Sequence, residues 1–199
     1  MPKPLIPTLL AILSLSVFLL PAYGQEEEKC PSGCSQTVYF GFDRTDIDST
    51  YADNQRALNA LHTLFSDSFH ISFIDSVHIY AYSSPEGREA YNDKLSQRRV
   101  SAMKKYLTDN HPFLSTIPLS LTSGGENWQG LQTLVSADAD FNEREEVLMI
   151  LDKIPDNARR ERLLKRLNGG RAYRYMQQHI LPQLRNAMVC TVRINRGLN

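Results

Sequence analysis

The apolar residues of this chain change period in a set order, and that order is the strongest constraint on its fold. "TVYFGFD" (37–43) alternates Val38, Phe40 and Phe42 on one face, which reads as a strand. "NQRALNALHTLF" (54–65) switches to helical spacing, with Ala57, Leu58, Leu61, Leu64 and Phe65 on one stripe. "DSVHIYAY" (75–82) returns to alternation, Val77, Ile79 and Ala81 against His78, Tyr80 and Tyr82. "REAYNDKLSQRRVSAMKKYLTDN" (88–110) is helical again, with Tyr91, Leu95, Ala102, Met103, Tyr106 and Leu107 near one side, and Pro112 ends it. "IPLSLTSGGEN" (117–127) alternates weakly and turns at Gly124-Gly125. Strand, helix, strand, helix, strand with long crossovers predicts an α/β (α+β) architecture built from βαβ units.

The pattern then changes. Residues 128–185 read as a run of helices punctuated by Pro155, Gly169-Gly170 and Pro182. "NAMVCTVRIN" (186–195) alternates Met188, Cys190, Val192 and Ile194 and closes the chain as a strand. The expected mixed sheet therefore carries a helical insertion before its last strand. Arg159, Arg160, Arg162, Lys165, Arg166, Arg171 and Arg174 face one acid, Glu161, in that insertion. Such a segment is either a solvated face balancing Glu143, Glu145 and Glu146 or a docking surface for an acidic partner.

The amino end has the composition of an export signal. Lys3 precedes an apolar run from Leu5 to Leu20, and Ala22-Tyr23-Gly24 offers small residues for cleavage. Residues 1–24 are read as a removed signal peptide, 25–36 as a linker and 37–199 as the domain, with no transmembrane span left after cleavage. The full chain holds 22 basic and 22 acidic residues, and the signal removes one lysine and no acid. Near-neutrality argues against a global electrostatic grip on nucleic acid. Cys30, Cys34 and Cys190 make an odd count, so one thiol is left over: Cys30 and Cys34 close a small ring, or one of them reaches Cys190. No metal-ligand spacing or phosphate-binding glycine loop is present, and no cofactor is expected.

Several motifs together resemble the OmpA-like domain, a family of peptidoglycan-binding modules of the bacterial outer membrane. Phe40-Gly41-Phe42-Asp43 matches the family's Phe-x-Phe-Asp at the end of the first strand. Gly87 falls where the loop glycine belongs, and Asn92, Leu95, Ser96 and Arg99 match the following helix signature, with Val100 in place of its Ala. Ser123-Gly124-Gly125-Glu126 is similar to the turn after the third strand. The resemblance covers most of 37–127 and 186–195, and it implies a βαβαβ-β mixed sheet with helices packed on it.

The resemblance also implies a site. Family members hold the zwitterionic end of a wall peptide with a loop Asp for the ammonium and a helix Arg for the carboxylate. Here Arg99 retains the second role, but Ser84 occupies the position of the acid and Ala81-Tyr82-Ser83 replaces Gly-His-Thr. Glu86 is the nearest residue able to restore the missing charge. The expected ligand-binding set is Arg99, Ser84, Glu86, Asn92 and Tyr82, with no catalytic residue.

The resemblance implies a non-enzymatic cell-envelope module, periplasmic and outer-membrane associated, with a peptidoglycan stem peptide as partner. The alternative is an envelope protein-interaction module that uses the basic insertion, with the pocket vestigial. A hydrolase built on Glu126, Glu86 and Asp43 has only the acids any soluble domain has.

Overall fold

A computed structural model describes residues 35–66 and 71–193. The signal peptide, most of the linker, Cys30, Cys34 and Ile194 lie outside the described residues. The sheet has four strands: β1 (Ser35–Tyr39), β2 (Ile74–Ser83), β3 (Leu119–Glu126) and β4 (Asn186–Arg193), in the order β1-β4-β2-β3. β2 and β3 are parallel, and β4 runs antiparallel to both β1 and β2. The last strand thus fills the slot left between the first two. This mixed sheet, covered by helices, is the α/β architecture expected.

Helices α1 (Asn54–Ser66) and α2 (Glu89–Asn110) pack on the sheet face that carries Val38, Val77, Ile79, Ala81, Ala187 and Val189, each fully buried. Leu61, Phe65, Met103 and Leu107 fill the layer from the helix side. Each such side chain contributes about 1.5–3 kcal/mol by leaving water. The alternation in β4 is misread from sequence. Ala187 and Val189, not Met188 and Cys190, belong to the helix-side core. β4 carries apolar residues on both faces, Met188, Cys190 and Val192 opposite Ala187 and Val189, so alternation does not say which face meets the helices. Cys190 is disulfide-bonded.

β1 is shorter than its apolar alternation suggests, for a local reason. Asn54 is fully buried and takes the place of a further strand partner. Its Oδ1 accepts from Tyr39 N at 2.7 Å, while its Nδ2 donates to the carbonyls of Tyr39 and Asp48, both at 2.8 Å. The chain then leaves the sheet, with Asp43 in the left-handed region at φ 55°. Phe40 stays in the core, but Phe42 is 66% exposed. Tyr91, assigned by spacing to the buried side of α2, is 44% exposed.

The helical insertion has a core of its own. It comprises α3 (Trp128–Ala137), α4 (Arg144–Lys153), α5 (Asn157–Arg166) and α6 (Arg171–His179), packed around Leu131, Val135, Phe141, Val147, Leu164 and Met176. Asn127 and Asp156 cap α3 and α5 by accepting from Gly130 N and Arg159 N, both at 2.7 Å. Gly169 and Gly170 have φ of 66° and 80° and separate α5 from α6, as left-handed backbone favours glycine. Much of the basic run is consumed inside this lobe. Arg160 lies over the Trp128 ring and donates to Leu151 O. Arg171 pairs with buried Glu143, and Lys165 pairs with Glu161. Arg174 donates to Gly169 O.

The lobe docks on the carboxyl ends of β2 and β3. Gly87 N donates to Glu161 Oε1 at 2.5 Å, Asn157 Nδ2 to Glu89 Oε1 at 3.1 Å, and Trp128 Nε1 to Glu126 Oε2 at 2.9 Å. No described helix is long and apolar enough to cross a membrane.

Candidate functional site

The first half of α2 carries a buried stripe that is polar. Asn92, Ser96 and Arg99 lie at helical spacing on the face toward the sheet, and all three are buried. Buried polar groups need partners, and these find theirs at the ends of β2 and β3. Asn92 Nδ2 donates to Glu86 O at 3.0 Å and to Glu126 Oε1 at 2.7 Å. Ser96 Oγ donates to Asp93 O at 2.8 Å and accepts from Gly125 N at 3.2 Å. Ser83 Oγ donates to Asn92 O at 2.8 Å. Asn92 therefore braces the loop after β2, and Ser96 braces the end of β3. Burial raises the Glu126 carboxyl above its usual range, against the donors Asn92 and Trp128, which lower it.

Arg99 is the largest fully buried side chain in the described chain. Its guanidinium lies 5.0 Å over the Phe40 ring. Nε donates to Arg44 O at 3.1 Å, Nη1 to Tyr82 O at 2.8 Å and Nη2 to Gly41 O at 3.3 Å. A guanidinium has five N–H groups, so one remains on each terminal nitrogen. No carboxylate among the described residues, Asp43 included, lies within ion-pair distance of it. Burial, and then the charge of Arg185, push its pKa down to about 10. It still carries a full charge at neutral pH.

Above this buried cation lies a groove of about 460 Å³ whose lining includes Arg99 itself. Phe42, Tyr91 and Leu95 supply its apolar walls. Asp43 and Arg88 stand at its exposed rim, and Tyr91 Oη donates to Asp43 Oδ1. The deeper wall is a network: Ser84 Oγ donates to Glu86 Oε2 at 2.6 Å, Arg185 Nη2 donates to the same oxygen at 2.7 Å, and Arg185 Nε reaches Ser84 Oγ at 3.3 Å. The Arg185 and Glu86 side chains are 9% and 8% exposed, and the Arg185 guanidinium lies 5.1 Å from the Phe42 ring.

The structure brings Arg99, Ser84, Glu86 and Asn92 to one groove. Tyr82 contributes differently: its carbonyl holds Arg99, and its ring lies against Gly124, where an added Cβ would sit 2.1 Å from Tyr82 Cε1. Glu86 reaches the groove, but its Oε2 already accepts two bonds. The residue sequence reasoning missed is Arg185. It closes the helical run, and no local motif marks it. Only the placement of β4 beside β2 carries it to the loop at 84–88. Arg98, adjacent to Arg99, is exposed over the Tyr91 ring at 5.4 Å, as helix geometry predicts.

The motif residues of the Phe-x-Phe-Asp strand end, the α2 signature and the Gly-Gly-Glu turn thus converge on one place, and the sheet order with its covering helices is consistent with an OmpA-like fold. No family model matches the chain, and no curated protein matches it. Among solved structures it is similar to the peptidoglycan-associated lipoprotein from Burkholderia pseudomallei, at 21% identity and a TM-score of 0.35, over 46% of this chain and 70% of that one. It is also similar to the OmpA-like domain of FopA1 from Francisella tularensis, at 15% identity and a TM-score of 0.40, over 81% of this chain and 75% of that one.

Proposed function

We propose that the chain is a non-enzymatic binding module of the cell envelope that takes a carboxylate-bearing end of a peptidoglycan stem peptide into the groove beneath which Arg99 lies. The observation that carries this is the uncompensated guanidinium of Arg99, fully buried, with a groove of about 460 Å³ above it. Its three bonds go to neutral carbonyls. A charge so far from water is costly to leave without a counter-ion. A ligand carboxylate in the groove supplies one, and the short bidentate geometry that guanidinium favours requires the wall over the 0% exposed Arg99 side chain to part. The export signal read in residues 1–24 agrees with a periplasmic, outer-membrane-associated site.

The test is retention on purified sacculi. Arg99→Met keeps the length of the side chain and removes its charge. With a native circular dichroism spectrum, this variant loses retention by about tenfold or more. Undiminished retention of a folded Arg99→Met variant contradicts the mechanism.

A further inference from the structure

We propose that the groove selects a ligand end whose carboxylate sits beside an uncharged carbon, and that it rejects an end carrying an ammonium there. Arg185 is the residue that sets this preference. The inference rests on the groove reading above and adds the ligand class to it.

An ammonium entering the groove needs an anion to meet it. Glu86 offers no net charge, because the Arg185 guanidinium at 2.7 Å matches it, its Oε2 accepts from both Ser84 and Arg185, and its side chain is 8% exposed. Ser84 is neutral, and its hydroxyl is committed between the same two groups. The remaining groove acid, Asp43, stands at the exposed rim and accepts from Tyr91 Oη. Attraction through water at such a site is weak.

Cations are in excess. Arg88, Arg99 and Arg185 line the groove against Asp43 and Glu86, leaving one positive charge over. Two of the cations, Arg99 and Arg185, are at the deep end, where charge interactions are strongest. A single carboxylate neutralises the site, whereas a carboxylate with an adjacent ammonium brings a like charge beside the unmatched Arg99 guanidinium, with Glu86 already paired to Arg185. Beside them, Leu95 and the rings of Phe42 and Tyr91 offer apolar surface suited to a methyl-bearing carbon. The occupant that fits is a stem-peptide end of the form CH(CH3)COO⁻.

Titration of the full exported chain with capped peptides of equal length tests this. The peptides end in CH(CH3)COO⁻, in CH(NH3⁺)COO⁻, or in CH(CH3)CONH2. The first binds about tenfold or more tightly than the second, and the amide binds more weakly than the first by a similar factor. Arg185→Gln leaves the Glu86 carboxylate unmatched, and the preference for the first peptide over the second shrinks; the double variant Glu86→Gln/Arg185→Gln has no anion in the wall and keeps the preference. Ser84→Asp competes with Glu86 for Arg185 and raises relative affinity for the ammonium-bearing peptide. Equal or tighter binding of the second peptide by the parent chain, with sacculi still retained through Arg99, overturns the ligand class alone. Failure of all three peptides together with loss of sacculus retention overturns the groove reading as well. Preference for an L- over a D-configured methyl end points to a protein carboxyl terminus and overturns the wall assignment.

Discussion

A double-mutant cycle on Arg185 and Glu86 tests the wall of the groove quantitatively. The two side chains meet at 2.7 Å with 9% and 8% exposure. Unit charges about 4 Å apart at an effective dielectric near 20 attract by about 4 kcal/mol, and desolvation cancels much of that in the intact pair. Removing one member leaves the other's desolvation uncompensated. For fully buried pairs this costs about 3–5 kcal/mol; the residual exposure here lowers the expectation to about 2–4 kcal/mol for either Glu86→Gln or Arg185→Gln. The double variant replaces two charges by two amides that still hydrogen-bond, so it loses only about 1 kcal/mol. The coupling is then at least about 3 kcal/mol. Urea unfolding followed by far-ultraviolet circular dichroism and by fluorescence of Trp128, the one tryptophan, measures all four proteins. Additive single losses, within about 0.5 kcal/mol, refute the reasoning.

Three further outcomes follow from other contacts. Asn54→Ala removes the fully buried amide that pairs with Tyr39 N and Tyr39 O, and lowers stability by about 1–3 kcal/mol in urea titration. Gly124→Ala drives a methyl into the Tyr82 ring, costs about 1–3 kcal/mol and shifts the Tyr82 ring resonances in a proton NMR spectrum. Glu126 has a raised folded pKa because of burial, so the folded state binds the extra proton: its contribution is most favourable at acid pH, and stability falls as pH rises from the ordinary Glu value through the raised one. Glu126→Gln flattens that part of the stability-versus-pH curve, and an unchanged slope contradicts the assignment.

Particular elements show how far the sequence could be read. α1 and α2 were legible because Ala57, Leu58 and Leu61, and Leu95 and Met103, repeat at helical spacing with Pro112 as a stop. β2 and β3 also lie close to their predicted ranges, because their alternation is bounded by turns. The face of β4 was not legible, because both of its alternating sets, Ala187 and Val189 on one side and Met188, Cys190 and Val192 on the other, are apolar. The early end of β1 was also hidden, since it depends on the Asn54 amide, 15 residues away. At the site, Arg99 and the loop residues were found by motif. Arg185 was not, because its bond to Glu86 spans 99 residues of sequence and exists only once β4 has inserted beside β2. The basic run in the insertion was visible, but its internal pairing with Glu143, Glu161 and Trp128 depends on the packing of the lobe.

Guanidinium NMR on the full chain addresses the central claim most directly. The Nε–H signals of Arg99 and Arg185 are followed while the methyl-terminated carboxylate peptide is added. A ligand seated above these two side chains moves both signals along one saturation curve, with a midpoint equal to that of binding. Binding that leaves both signals where they were contradicts the account.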